Sequence, residues 1–215
     1  MLKGGKMKVL LINGSPHKEG CTFTALNEIA NTLKKHNIET EIFHIGTKPI
    51  AGCIACGKCR QTEKCIFDDD VNKLSTRIDE FDAIVLGSPV YYSGPTGQIC
   101  SFCDRLFFVN APKMAGKLAA AVVSCRRGGA TASFDRLNKY FGITNMQIVG
   151  SQYWNMVHGF TPEDVKKDLE GLQTMRTLGE NMAWLLKCIE VGKKNGIEKP
   201  QYEPITFTHF IQGDK

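Results

Sequence analysis

Apolar and polar residues follow two alternating periods along this chain, and the two periods predict strands and helices in turn. Short apolar runs predict five strands, at residues 9–12, 39–45, 82–87, 117–124 and 146–150. The first, third and fourth runs are continuously apolar, which is typical of parallel strands covered on both faces. Because strands that alternate with helices form right-handed βαβ units, the sequence predicts an α/β protein with a parallel sheet.

Helical periodicity fills the gaps between these strands. Apolar residues spaced three and four apart predict helices at residues 22–33, 68–78, 96–108, 134–141 and 162–195. The last is predicted as one continuous helix whose apolar face includes Val165, Leu169 and Leu186. Five strands connected in this way suit the flavodoxin-like order 2-1-3-4-5, with helices on both faces of the sheet.

The domain organisation predicted from this pattern is simple. Residues 1–195 form a single flavodoxin-like domain with a cysteine-rich loop at residues 49–67, and residues 196–215 form a C-terminal tail that packs on the body or on a neighbour. A chain of 215 residues is large enough to bury a sizeable core without disulfides.

Composition and charge exclude several classes of function. The net charge of +5 is mild, and no basic run with interleaved aromatic residues predicts binding to nucleic acid. The first residues are basic, but no apolar segment of a signal peptide follows, and no apolar stretch is long enough to cross a membrane. Nine cysteines without a secretory signal are typical of the reducing cytoplasm, where clustered thiols bind metals or act in redox chemistry.

The loop between the first strand and the first helix predicts a phosphate site. Backbone N–H groups and the positive end of the helix dipole converge there, and Ser15 and Thr22 add hydroxyl donors. The loop lacks the G-x-G-x-x-G pattern of dinucleotide-binding folds and the G-x-x-x-x-G-K-[ST] pattern of P-loop proteins. The alternative is a plain strand-to-helix turn that binds nothing. Residues 88–94 and 125–129 follow two further strands and are expected to form the other walls of the same site, because ligands of such sheets lie outside the carboxyl ends of the strands.

Three motifs resemble a known family: GSPHKEGCT, SPVYYSGPTGQICSFCDR and GCIACGKCRQTEKC. Over residues 8–129 the chain is similar to the NAD(P)H-dependent FMN reductase superfamily, and within it to the iron–sulfur flavoproteins. The resemblance implies that the first loop surrounds the FMN phosphate, with Lys18 supplying the charge that relatives usually carry where this chain has His17. It also implies that residues 89–94 border the isoalloxazine ring. The predicted flavin-binding residues are Ser15, His17, Lys18, Cys21, Thr22, Pro89, Val90, Tyr91, Tyr92, Ser93, Gly94, Arg126, Gly128 and Gly129.

Some of these residues have a second interpretation. Tyr91 and Tyr92 can stack on the flavin, but one of them can equally pack in the core. Gly128 and Gly129 let the backbone approach a ring, while Arg126 either meets an NADPH phosphate or lies on the solvated surface.

The four clustered cysteines are the most specific signal in the chain. Cys53, Cys56 and Cys59 are spaced by two residues, so three thiolates can wrap one face of an iron–sulfur cubane, and Cys65 can reach the remaining iron. This favours a single [4Fe–4S] cluster. A zinc site is the rival metal hypothesis, although its two Cys-x-x-Cys halves usually lie farther apart along the chain. The third interpretation is four free thiols.

Together these features predict an FMN-dependent redox protein. FMN takes electrons from NAD(P)H or a ferredoxin and passes them through the cluster to a one-electron acceptor, or directly to a quinone. The alternative is a cluster-free, flavodoxin-like electron carrier or flavin-binding module. No acid–base group is predicted to be catalytic, and His158 is either a polar group over the flavin or a structural residue. The partners expected are a small-molecule or protein redox partner and further copies of the chain in a homodimer or homotetramer.

Overall fold

The central sheet is parallel and follows the predicted order. A computed structural model describes residues 6–208. Its strands are β1 (Lys8–Asn13), β2 (Glu39–His44), β3 (Ala83–Tyr91), β4 (Gly94–Pro95), β5 (Leu118–Cys125), β6 (Gln147–Ile148) and β7 (Met156–His158). The main path through the sheet is β2-β1-β3-β5-β6, with β4 paired to β3 and β7 paired to β5. This is the order 2-1-3-4-5 once β4 and β7, which lie off the main path, are set aside, so the predicted fold class is confirmed.

The two additional strands arise at the carboxyl ends of predicted ones. β3 continues past residue 87 because Ser88 and Pro89 still pair with β5, and it then turns back into the antiparallel β4. The strand predicted at residues 146–150 forms only the short β6, which pairs with the start of β5, while β7 was not predicted and pairs with the end of β5. Between them residues 150–154 leave the sheet, and the chain returns at Asn155, whose carbonyl accepts from Val123 N at 3.0 Å.

Helices cover both faces of this sheet. They are α1 (Cys21–Lys35), α2 (Cys59–Thr62), α3 (Asp70–Ser75), a 3₁₀ turn (Ile78–Glu80), α4 (Gly97–Met114), α5 (Ala130–Ile143), α6 (Pro162–Lys167) and α7 (Leu169–Lys194). Val9 and Leu11 of β1 pack with α1 and α7, while Leu10 and Ile12 pack with α3, α4 and α5. Successive strand residues point to opposite faces, so a continuously apolar strand fills two cores at once.

The prediction of one continuous terminal helix is wrong. The chain breaks at Asp168, whose φ of −76° and ψ of 78° are not helical. The Asp168 carboxylate accepts from Gly171 N at 2.9 Å, which caps α7, and from His158 N at 2.6 Å. Leu169, predicted on the apolar face, is consequently 75% exposed. The break changes the direction of the chain, so that α7 packs along α1. Arg176 Nη1 on α7 lies 2.7 Å from Glu28 Oε1 on α1.

The predicted C-terminal tail is described only as far as residue 208, and residues 209–215 lie outside the described part of the chain. Within the described part, residues 193–208 are exposed. Lys199 is the point of attachment to the body, since its Nζ donates to the carbonyl of Ala115 at 2.6 Å. Among residues 6–208, no helix is both long enough and apolar enough to cross a membrane.

Candidate functional site

The loop after β1 is held in shape by a buried asparagine. Asn13 Oδ1 accepts from Ser15 N at 3.0 Å, and Asn13 Nδ2 donates to the carbonyl of Lys18 at 3.1 Å. The ring of His44, at the carboxyl end of β2, donates from Nε2 to the carbonyl of Ser15 at 2.8 Å. Sequence reasoning missed Asn13 and His44, and both determine where the loop backbone lies. The only signal for either was its position at the end of a strand.

The start of α1 has free capacity for an anion. Gly20, the residue that precedes α1, has no side chain that could cap the helix. The first turn of α1 carries no acidic residue. The N–H groups of a first helical turn lack partners within the helix, and they carry the positive end of the dipole. His17 and Lys18 are exposed beside this turn. Burial raises the pKa of the Cys21 thiol, which favours a neutral thiol at this position. The described geometry therefore suits a negatively charged group.

The two predicted hydroxyl donors differ in their surroundings. Ser15 Oγ accepts from His17 N at 3.1 Å, which leaves its O–H free to donate. Thr22 is only 1% exposed, and its Oγ1 shares a 2.8 Å hydrogen bond with Ser124 Oγ at the end of β5. Thr22 thus lies beneath the loop and joins α1 to the sheet. Ser15 is the hydroxyl better placed to meet a bound phosphate.

The second loop is a tight hairpin. Tyr92 and Ser93 have φ values of +49° and +59°, and they connect β3 to β4 as a two-residue turn of type I′. Such turns favour Asn-Gly, so a Tyr-Ser pair carries backbone strain of about 1–3 kcal/mol per residue. Tyr91 is half exposed and Tyr92 fully exposed. Neither tyrosine packs in the core, so both faces are open to a ligand or a neighbour.

The third loop closes against the hairpin. Gly129 has a φ of +89°, and a Cβ added there would lie 2.7 Å from the Cα of Ser93. Arg126 and Gly128 are exposed. The hairpin in turn reaches the first loop, because Thr96 Oγ1 donates to the carbonyl of Gly14 at 2.9 Å. The three predicted flavin loops therefore meet at one edge of the sheet, while the contacts of their individual residues with flavin remain predictions.

Replacing Gly129 by Ala should disturb this meeting point. The positive φ alone costs about 1–3 kcal/mol for a residue with a Cβ, and the backbone of Ser93 stands in the way of the added atom. We expect a lower free energy of unfolding in guanidinium chloride and weaker FMN binding. For stability, Gly128→Ala is the matched control, since an added Cβ there meets nothing within 4 Å. Equal stability of the two variants would contradict the close approach of the third loop to the hairpin.

The four clustered cysteines line one pocket. Cys53, Cys56, Cys59 and Cys65 face it together with residues of α4, among them Arg105, Phe108 and Val109. Cys53 and Cys56 are exposed, whereas Cys59 and Cys65 are half-buried. Burial raises the pKa of the Cys59 thiol, and the neighbouring Cys65, Cys53 and Cys56 raise it further. The chain can wrap this pocket because Ala55 and Gly57 both take left-handed conformations, with φ of +54° and +71°.

The donor set of this pocket suits an iron–sulfur cluster. Among residues 6–208, no group of three or more His, Cys, Asp or Glu side chains is arranged to hold a single metal ion. Thiolate sulfur is nevertheless the ligand of iron–sulfur clusters, and a cubane needs four of them. Four thiols that face one partly covered pocket meet that requirement in number and chemistry.

His158 lies at the carboxyl end of β7, next to the third loop. Its backbone pairs in register with Cys125, and its Nδ1 lies 3.8 Å from Asp168 Oδ2. The ring is exposed. Asn155, by contrast, is 2% exposed and accepts from Ser151 Oγ at 2.8 Å, so it stabilises the returning chain before β7.

The fold and this edge of the sheet define a flavodoxin-like α/β protein, and solved structures agree. A structure described as the Trp repressor binding protein from Bacillus subtilis matches with a TM-score of 0.61 at 17% identity, covering 79% of this chain and 99% of that one. An archaeal flavodoxin matches with a TM-score of 0.58 at 17% identity, covering 84% and 99%. At these identities the likeness concerns the fold alone.

The family follows from the sequence comparison. The chain belongs to the family of NADPH-dependent FMN reductases, whose model matches residues 7–161. An iron–sulfur flavoprotein of Methanocaldococcus jannaschii is 35% identical over 194 residues, covering 86% of this chain and all of that protein. An iron–sulfur flavoprotein of Methanosarcina thermophila is 26% identical over 188 residues, covering 86% and 97%. The predicted resemblance is thereby confirmed.

Proposed function

We propose that this chain is an FMN-dependent redox protein that also holds a [4Fe–4S] cluster. It transfers electrons from NAD(P)H or a ferredoxin through FMN to a one-electron acceptor or a quinone. The observation that carries this proposal is the pocket lined by Cys53, Cys56, Cys59 and Cys65 on the side of α4. Helix α4 begins directly after the β3–β4 hairpin, which is one of the three predicted flavin loops. Arg105, in the wall of the cysteine pocket, lies eight residues after the start of α4. At 1.5 Å per residue this is about 12 Å, so the two sites share one rigid helix.

When bound, FMN supplies hydride and single-electron chemistry, and the work of the protein is to hold it and exclude competing reactions. The first turn of α1 accepts the phosphate through its N–H groups, with Ser15 donating and Lys18 adding charge. Gly129 lets the third loop close against the hairpin, and Tyr91 offers an aromatic face. The four cysteine sulfurs are the ligands of the cluster.

The setting we propose is the cytoplasm, with the chain in a homodimer or homotetramer. Tyr92, Tyr153 and Trp154 are exposed aromatic residues on or near the carboxyl ends of the strands. Exposed aromatic side chains are enriched in protein interfaces, which supports contact with another copy or a redox partner there.

Protein purified without oxygen should contain one FMN, and about four irons and four sulfides, per chain. We expect FMN and not FAD because the first loop offers a single helix terminus for one phosphate. The measurements are the mass of the extracted flavin, iron and sulfide content, and the absorption spectrum. FAD would contradict the proposed flavin site. FMN without iron, in protein reconstituted with iron and sulfide, would contradict the cluster and favour a cluster-free carrier.

Steady-state kinetics then test the direction of electron flow. Oxidation of NADPH and of NADH is followed separately with a quinone and with a one-electron acceptor. Reduction of the flavin by neither nucleotide, but by reduced ferredoxin, would assign the ferredoxin as the donor.

A further inference from the structure

Arg105 is a buried arginine in the wall of the cysteine pocket. Its side chain is 1% exposed, yet all five of its N–H donors have acceptors. Two of these donors bind the carboxylate of Asp69: Nη1 donates to Oδ2 at 2.6 Å, and Nη2 donates to Oδ1 at 2.8 Å. Nη1 also donates to the carbonyl of Ala51 and Nη2 to that of Phe67, both at 3.2 Å. The fifth donor, Nε, points at Cys65 Sγ at 3.1 Å.

These contacts close the cysteine loop at its base. Ala51 lies two residues before Cys53, and Phe67 lies two residues after Cys65, so a single guanidinium joins the two ends of the segment that carries all four thiols. A planar group with a fixed fork of donors sets both distance and orientation, which a lysine at this position cannot do.

Cys65 is also held through its backbone. Asn72 Oδ1 accepts from Cys65 N at 2.8 Å, and Asn72 Nδ2 donates to the carbonyls of Cys65 and Phe67, both at 2.9 Å. Cys53 and Cys56 are exposed in comparison. Cys65 is therefore anchored at its backbone by Asn72 and at its sulfur by Arg105.

We propose that Arg105 is a positioning residue that fixes Cys65 for the cluster and raises the reduction potential of the cluster. This inference rests on the proposed [4Fe–4S] site. One-electron reduction by dithionite adds one negative charge to the cluster and breaks no bond. A cationic N–H donor on a ligand sulfur stabilises that added charge, since hydrogen bonds and charge at the sulfurs set the potentials of such clusters. Asp69 offsets the buried charge of Arg105 without accepting the Nε–H that reaches the sulfur.

The test compares Arg105→Gln and Arg105→Lys with the wild type in redox titrations followed by electron paramagnetic resonance. At a fixed solution potential we expect the ratio of reduced to oxidised cluster to fall about tenfold in Arg105→Gln, which is about 59 mV for one electron. Arg105→Lys keeps the charge but loses the fork, so a fall of about threefold is expected. Arg60→Gln is the matched control, because Arg60 follows Cys59 directly but is exposed, and solvent screens its charge.

A second measurement does not need the cluster. In metal-free protein, trypsin can cut the loop after Lys58, Arg60 and Lys64, and opening of the loop sets the rate. Both Arg105 variants should be cut severalfold faster than the wild type at these three sites, with the rest of the chain unchanged.

The outcomes distinguish failure of the proposed cluster from failure of the proposed role of Arg105. Wild-type protein that binds no iron would overturn the proposed cluster, and with it the effect of Arg105 on a potential. A cluster whose potential is the same in the wild type and both Arg105 variants would overturn the inference alone. If neither variant assembles a cluster, cutting no faster than in the wild type would overturn the positioning role, and faster cutting would support it.

Discussion

Replacing Cys56 by Ser is expected to remove the iron–sulfur cluster and leave FMN bound. Cys56 is the middle member of the tight run and is exposed at the pocket rim, so loss of its thiolate opens one iron to solvent. The serine oxygen is a harder and more basic ligand that suits soft iron–sulfur centres poorly. We expect iron content well below half of the wild-type value, with FMN content unchanged. The flavin loops are untouched because they follow β1, β3 and β5, whereas the cysteine loop follows β2.

The control for this substitution is Cys188→Ser. Cys188 is exposed on α7 and does not line the cysteine pocket, so the same chemical change should leave both cofactors in place. Transfer to one-electron acceptors should fall more in Cys56→Ser than hydride oxidation of NAD(P)H by the flavin. Wild-type iron content in Cys56→Ser would show that Cys56 is not a ligand. Loss of FMN together with iron would mean that the cysteine loop is part of the flavin site.

The strands that are buried on both faces are the part of the fold that the sequence predicts best. The runs at 82–87 and 117–124 are apolar without alternation at residues 83–86 and 118–123, and both form central strands because helices cover them on either side. The carboxyl ends were harder to predict. Ser88 to Tyr91 contain a proline and a tyrosine, yet they extend β3 because β5 pairs with the first two residues and β4 with the last two.

The break at Asp168 shows why element boundaries escape a periodic pattern. The residues around it keep helical spacing of apolar side chains, so the pattern alone predicts continuity. The competing signal is local: Asp168 caps α7 through Gly171 N and binds His158 N. Aspartate is a preferred residue at the start of a helix, so Asp168 inside the predicted helix was itself a signal that one helix ends and another begins there.

The loops of the candidate site could be predicted because ligand loops of parallel sheets follow strand ends. The residues that hold those loops could not, since their partners are distant in sequence: His44 binds Ser15 across 29 residues, and Thr22 binds Ser124 across 102. Arg105 carried a usable signal. It lies three residues after Phe102 and four before Val109 on α4, so helical spacing puts a charged residue on a partly apolar face. A charge in such a position needs partners, and the cysteine loop supplies them.

Replacing Ser15 by Ala should weaken FMN binding by about tenfold or more, with little change in stability. A hydrogen bond to a charged group contributes about 1.5–3 kcal/mol, and Ser15 has a hydroxyl that is free to donate and lies beside Gly20, the residue before α1. Thr22→Ala should act differently. It removes the partner of the buried Ser124 hydroxyl, which costs about 1–3 kcal/mol of stability. The double variant is expected to fold and to show both effects. The two single variants then assign the loss of FMN binding to Ser15 and the loss of stability to Thr22.

The measurements are FMN affinity, by fluorescence titration of metal-free protein, and unfolding in guanidinium chloride. Thr24→Ala is the matched control, because Thr24 lies in the same helix and its hydroxyl donates only to the carbonyl of Gly20 at 3.2 Å. Unchanged affinity in the double variant would place the phosphate away from this loop. Weaker binding in Thr22→Ala than in Ser15→Ala, at equal stability, would mean that the Thr22 hydroxyl leaves Ser124 and turns toward the phosphate when FMN is bound.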